Sequence, residues 1–193
     1  MTYISCAFET EARALIDFYK LDKRSDLSYK LFFNENILLI ISGMGQNKAK
    51  EAIEFLLLNY PNKQDDIFLN LGVCAGQKKF EVGDLVQIKQ LHSIDESHKL
   101  SSINKGITEV SCFSSEVAVS GSCSQDIAEM EANSIYSIIQ KYFLVKNISF
   151  LKIVSDNFNP IKFSKEFIIN LTKQNIKEIT KHINLLQEKN SEK

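Results

Sequence analysis

Glu9, Glu11, Glu129, Glu131 and Asp156 all border apolar segments, where a carboxylate can serve as acid, base or fixed anion toward a substrate. Glu131 is the most pointed of them. On a helical reading of Met130–Tyr142 it shares its stripe with Ile135 and Ile138, where an apolar side chain belongs. A carboxylate there needs a partner for its oxygens, because burying it unpaired is expensive. A helix–helix ion pair would satisfy that need, and so would a polar ligand. Glu9 and Glu11 open a helix directly after an apolar strand, a place that acidic residues favour for the helix dipole alone. Ser155-Asp156 ends another apolar run, as an acid at a strand end or as a plain turn. Gly43-Met44-Gly45 joins a strand to a helix. A dinucleotide fingerprint would need a third glycine at Lys48 and a P-loop would need Gly-Lys-Ser/Thr, and the chain has neither.

The elements that must position these residues follow from periodicity. Tyr3–Ala7 reads as a strand and Glu9–Tyr19 as a helix with Ala12, Leu15, Ile16 and Tyr19 on one face. Leu27–Phe33 and Asn36–Ser42 read as a hairpin, and Gln46–Asn59 as a helix with a broad apolar face. Asp66–Gly72 and Ile148–Ser155 are nearly continuous apolar runs of the kind buried on both faces of a sheet. Leu85–Leu91 alternates as a strand, Ile107–Cys112 and Glu116–Ser120 are weaker strands, and Met130–Tyr142 is a helix. Ser164 can cap a long last helix, beyond which Gln187–Lys193 is expected to fray. Strands alternating with helices predict one α/β domain over residues 1–193, a three-layer α/β/α sandwich around a mixed sheet. Ligands of such sheets sit at the carboxyl ends of strands, and the acidic residues fall there.

Composition narrows the function classes. The chain has 193 residues, 44% hydrophobic and 24% charged, with a net charge of −1, so no basic footprint for nucleic acid exists. The longest strongly apolar run, Ile37–Ile41, is far below the ~20 residues of a membrane span. Met1-Thr2-Tyr3-Ile4 lacks the basic start and long apolar stretch of a signal peptide, and a cytoplasmic protein is expected. Cys6, Cys74, Cys112 and Cys123 are scattered, and His92, His98 and His182 show no ligand spacing. Reduced thiols are expected, with no metal and no cofactor.

Five segments, in this order, resemble the nucleoside phosphorylase/nucleosidase superfamily, and most of all the 5′-methylthioadenosine/S-adenosylhomocysteine nucleosidases. Ala7-Phe8-Glu9-Thr10-Glu11 resembles the family's Ala-Met-Glu-x-Glu, and Ser42-Gly43-Met44-Gly45 its Ser-Gly-x-Gly. Asn70-Leu71-Gly72-Val73-Cys74-Ala75-Gly76, with Val82-Gly83-Asp84 after it, resembles the strand-to-loop that lets a base lie against the backbone. Glu129-Met130-Glu131-Ala132 and Val154-Ser155-Asp156 resemble the ribose-gripping and base-protonating segments. The resemblance implies a purine nucleosidase in which Glu11 activates water and Asp156 protonates the leaving base. Glu131, with Glu129, would hold the ribose hydroxyls, and Met130 would pack on the sugar. Gly72, Val73 and Ser155 would line the base site. Such an assignment suits the chemistry, since breaking a ribosyl C–N bond makes a cationic sugar and an anionic leaving base. The family also implies a homodimer acting on a small-molecule nucleoside.

The chain departs from the family pattern in three places. The segment between Gly106 and Ile127 is short, and Phe113 is its candidate for stacking on the base, with a core position as the alternative. Val73 stands where nucleosidases often carry Ser, and Asn159 where many members have a second Asp. Asn70 stands where phosphorolytic members carry a phosphate-binding Arg, which favours water as nucleophile, although Arg13 lies near the first strand end. A nucleoside phosphorylase, a futalosine-type hydrolase and a non-catalytic nucleoside-binding relative are the competing readings.

Overall fold

The computed structural model describes residues 1–24, 28–159 and 162–191. The first half of the chain folds into β1 (Thr2–Cys6), α1 (Glu9–Tyr19), β2 (Asp22–Arg24), β3 (Lys30–Phe33), β4 (Ile37–Ile41), α2 (Gln46–Asn59), β5 (Ile67–Gly76) and β6 (Leu85–His92). The second half adds β7 (Ser97–Lys99), β8 (Thr108–Ser114), β9 (Ile127–Glu129), α3 (Ala132–Ile139), β10 (Ile148–Asp156) and α4 (Lys165–Ser191).

The nearly continuous apolar runs become the middle of the sheet, because both of their faces are covered. β1 is buried throughout and lies parallel between β4 and β5, and β10 continues parallel on β5. β3 and β2 extend the β4 side antiparallel. On the other side β10 pairs antiparallel with β6, β6 parallel with β8, and β8 parallel with β9. β5 gives its first half to β1, from Ile67 opposite Thr2 to Asn70 opposite Ser5, and its end to β9, with Ala75 opposite Ala128. Because β5 pairs with β10 as well, strands β5, β10, β6, β8 and β9 close into a ring. The result is a mixed α/β fold, as expected, with part of its sheet rolled up.

Two apolar clusters flank the sheet. Residues of α1 and α4, including Leu15, Ile16, Leu171, Ile179 and Ile183, join one cluster, and those of α2 and α3, including Ile53, Leu56, Ile135 and Ile139, join the other. The helix of Glu9–Tyr19 has the bounds expected of it, and so does that of Gln46–Asn59. Ser164 caps the last helix through its hydroxyl, which accepts the Phe167 N–H at 3.1 Å.

Several expectations need correction. Glu116–Ser120 is irregular chain, and the helix expected over Met130–Tyr142 is regular only from Ala132 to Ile139. Of the end expected to fray, Gln187–Lys193, the described part is helical through Ser191 and the last two residues lie outside the described ones: Gln187 donates to the Thr2 hydroxyl at 2.9 Å, and Lys189 donates to the carbonyls of Ser102 and Ile103. Strands β2, β7 and β9 were not expected, for a three-residue strand is too short to show a period of two. Leu27 of the expected hairpin lies outside the described residues. Among the described residues no helix is long and apolar enough to cross a membrane, and no group of acids, histidines or cysteines is arranged to hold a metal.

Candidate active site

Since β1, β4, β5 and β10 run parallel, their carboxyl ends meet at one edge of the sheet. The residues after β1 and β4 are tied there, with the Gly43 N–H bonded to the Ala7 carbonyl at 3.0 Å. β9 runs against β5 and delivers Glu129 to the same edge. A cavity of about 180 Å³ opens there, lined by Glu11, Glu131 and Asp156 together with Val73, Cys74 and Ala75 of β5. Three carboxylates far apart in sequence thus face one space. The Gly72–Gly76 segment, expected to be a loop, is the end of β5 itself.

Glu11 lies on the first turn of α1 and is 3% exposed. Its Oε2 accepts the Phe8 N–H at 2.8 Å, capping the helix, and its Oε1 accepts the Val73 N–H at 3.1 Å. Burial raises its pKa above the usual carboxylate range, against the pull of those backbone donors and of Lys152. Gly72 forms the floor beneath it. A Cβ there would stand 3.3 Å from the Glu11 Oε1, tight enough that the carboxylate would have to give slightly, and at an ordinary contact distance of 3.5 Å from the Lys152 Nζ.

Glu131 does not share the stripe of Ile135 and Ile138. It precedes α3, and its carboxylate reaches back to the glycine turn, where Oε1 accepts the Gly45 N–H at 2.9 Å. Gly45 has φ +95°, a conformation open to glycine, and this aims its N–H at the carboxylate. The other Glu131 oxygen accepts nothing among the described residues and faces the cavity. Burial, then the charge of Glu129, pushes Glu131 up to about 7. A raised carboxylate binds its proton more tightly folded than unfolded, so its contribution to stability falls as pH rises from about 4.5 to 7. His182, buried against Ser149 and held down to about 4, acts in the opposite sense over much of that range. The comparison with Glu131→Gln isolates the first effect. The variant should gain on the wild type between pH 5 and pH 8, by on the order of 3 kcal/mol. Urea titrations at both values check this, and a constant difference would assign Glu131 an ordinary ionisation.

Glu129 anchors the site more than it faces a ligand. It lines the cavity, but its Oε2 accepts the Lys152 ammonium at 2.9 Å and the Glu131 and Ala132 N–H groups, and its Oε1 also meets the Ala132 N–H. Burial pushes its pKa up, but Lys152, Ser114 and the backbone donors outweigh this and hold it low. Lys152 and Glu129 are each 1% exposed at the side chain, and the neighbouring carboxylates hold the lysine charged although burial opposes it. The sequence reading passed over Lys152. The available signal was a lysine in the middle of an apolar strand buried on both faces, which demands a counter-ion.

Asp156 is half-buried at the end of β10. Its Oδ2 accepts the Ser155 hydroxyl at 2.9 Å and its Oδ1 the Asn159 N–H at 2.9 Å. Ser155 and Met130 also line the cavity. Phe113 does not, whereas Ala118 and Val119, from the irregular chain before β9, do. The Asn70 amide is committed to the Ser5 carbonyl and hydroxyl. Arg13 is engaged by Glu9 and, at 3.7 Å, by Asp17.

No protein-family model matches the chain, and no curated protein sequence matches it significantly. Solved structures do. The chain superposes on the 5′-methylthioadenosine nucleosidase of Arabidopsis thaliana with a TM-score of 0.79 at 17% identity, covering 96% of this chain and 95% of that one. The 5′-methylthioadenosine/S-adenosylhomocysteine nucleosidase of Helicobacter pylori, bound to butyl-thio-DADMe-Immucillin-A, gives 0.78 at 16% identity over 95% and 97%. A futalosine hydrolase mutant of the same organism gives 0.74 at 15% identity over 95% and 98%. The chain therefore has the fold of these solved nucleosidases over about 95% of its length.

Proposed function

We propose that this protein is a nucleosidase that hydrolyses the N-glycosidic bond of a purine nucleoside, of the 5′-methylthioadenosine/S-adenosylhomocysteine type. The observation that carries the reading is the meeting of Glu11, Glu131 and Asp156 around one cavity. In this reaction water adds to C1′, the C1′–N9 bond breaks, and the purine leaves with the bonding pair. Asp156 donates a proton to N7 of the leaving base, so that the pair need not develop as a full anion. Glu11 takes the proton of the attacking water, and its raised pKa makes it a stronger base than an exposed carboxylate. The unengaged Glu131 oxygen accepts from the ribose hydroxyls and faces the positive charge that develops on the sugar. Met130 packs on the sugar ring, Val73 and Ser155 border the base, and the Lys152–Glu129 pair holds the strand carrying Asp156 to the turn carrying Glu131.

The same reading covers the finer architecture and setting. Helices α1 with α4 and α2 with α3 on separate apolar clusters support a three-layer arrangement about the sheet. Four free cysteines, three of them buried, support a cytoplasmic setting. Phe8 and Met44, exposed at the mouth of the cavity, support a homodimer that covers them.

A product assay tests the proposal. With the Asn70 amide committed to β1 and Arg13 engaged by two carboxylates, turnover should yield free sugar and be insensitive to added phosphate. Sugar 1-phosphate as the main product would make the protein a phosphorylase. No product from any purine nucleoside would make it a binder.

A further inference from the structure

The chain leaving β10 takes an uncommon path directly behind Asp156. Val154 stands opposite Cys74 of β5 but Asp156 stands opposite Ala75, so the register skips Ser155. A bulge of this kind re-aims the side chains that follow it. Two residues after Asp156, Phe158 has φ +57°, in the left-handed region that a bulky L-residue seldom enters. No glycine stands there to make the step easy, and the Phe158 side chain is 6% exposed. A backbone persists in such a state only where its surroundings over-determine it.

Contacts from two directions hold this turn. The Asn157 side-chain amide donates to the carbonyls of Gly76, Gln77 and Phe80 at 3.1, 3.2 and 3.3 Å, which pins the turn to the chain leaving β5. On the other side the Phe158 carbonyl accepts the Gly121 N–H at 2.8 Å. Gly121 belongs to the same irregular chain as Ala118 and Val119, which line the cavity. The left-handed step at Phe158 returns the chain, so that the Asn159 N–H meets the Asp156 Oδ1 at 2.9 Å while the Ser155 hydroxyl meets Oδ2. Each carboxylate oxygen has its own donor, and the plane of the group is thereby set. Neither Asn157 nor Phe158 lines the cavity itself.

We infer that Asn157 and Phe158 are positioning residues for Asp156: the amide pins the turn, and the left-handed step aims the carboxyl into the cavity. The inference rests on the nucleosidase reading, in which Asp156 is the acid. Proton transfer needs the acid within hydrogen-bond reach of the leaving base, so a displaced turn costs rate. The sugar, held at Glu131, would still bind.

A pair of isomeric side chains tests the left-handed step. Leu and Ile are alike in volume and apolar character, but branching at Cβ makes the left-handed region harder for Ile. Phe158→Ile should lower kcat on 5′-methylthioadenosine by about tenfold or more relative to Phe158→Leu, with KM changed by less than about twofold. Asn157→Leu, which keeps the outline of the side chain and removes its donors, should lower kcat in the same way. Both changes are then repeated in Asp156→Asn. With the acid gone its placement no longer matters, so each should cost less than about twofold there. A circular dichroism melt verifies that the variants fold. The full loss in the Asp156→Asn background would mean that the two residues act elsewhere in the fold, and would overturn the inference. Equal kcat in Phe158→Ile and Phe158→Leu would overturn it as well, and so would a wild-type rate in Asp156→Asn, which leaves no acid to position. No turnover of 5′-methylthioadenosine by the wild-type protein would remove the nucleosidase reading in its methylthioadenosine form, and the inference with it.

Discussion

Replacing Lys152 with Met is expected to destabilise the protein by about 3–5 kcal/mol, the usual consequence of removing one partner of a buried ion pair. For a chain of this size that is a fall in Tm of roughly 6–20 °C. The cause is what remains. Glu129, 1% exposed at its side chain, would keep its charge with only Ser114 and backbone N–H groups to answer it, beside Glu131 and Glu11. Removing both charges together, in Lys152→Met with Glu129→Gln, should recover part of the loss. Chemical denaturation of the two variants measures this directly. A Lys152→Met protein as stable as the wild type would mean that Glu129 is protonated in the fold and that the pair is not an ion pair.

Asp156→Asn is expected to lower kcat by about 10²–10⁴-fold, the range a positioned acid contributes. The amide keeps the size of the side chain and can still hydrogen-bond a base, so product affinity should change much less than rate. Its neighbours tolerate the exchange if the amide oxygen takes the place of Oδ1 and accepts the Asn159 N–H, because the Ser155 hydroxyl, which also donates to the Cys74 carbonyl, can then accept from the amide nitrogen. Glu131→Gln should weaken both nucleoside binding and turnover, as its charge serves the ribose before and during bond cleavage. Single-turnover rates and product dissociation constants separate the two patterns. Wild-type rates in both variants would make these carboxylates structural and end the nucleosidase reading.

The sequence was most informative where a residue must be what it is for local reasons. Nearly continuous apolar runs announced β1, β5 and β10, and Ser164 announced the start of α4. The five segments that resemble the nucleosidases do fall at one edge, as parallel strands require. The reading failed where tertiary contacts override local pattern. Glu131 looked helical because Ile135 and Ile138 follow at helical spacing, but its own backbone is spent on a turn that Glu129 caps. Phe113 looked like a base-stacking ring, yet the alternation of β8 and the irregular chain after it bring Ala118 and Val119 to the cavity instead. Lys152 was legible in principle, as a charge with nowhere to go. Its partner, 23 residues earlier in a three-residue strand, was not.

The rolled part of the sheet bears on how this protein avoids aggregation. A sheet normally presents two open edges, each a template on which a second chain can add a strand. Here β5, β10, β6, β8 and β9 pair in a circle and leave little to template. Among the described residues, what stays open is short and polar: β2, whose three residues Asp22, Lys23 and Arg24 are all exposed, and β7, which is Ser97, His98 and Lys99. Neither is long or apolar enough to nucleate strand addition. Contact between copies of this chain is thereby left to its helices and loops, the surfaces on which Phe8 and Met44 lie.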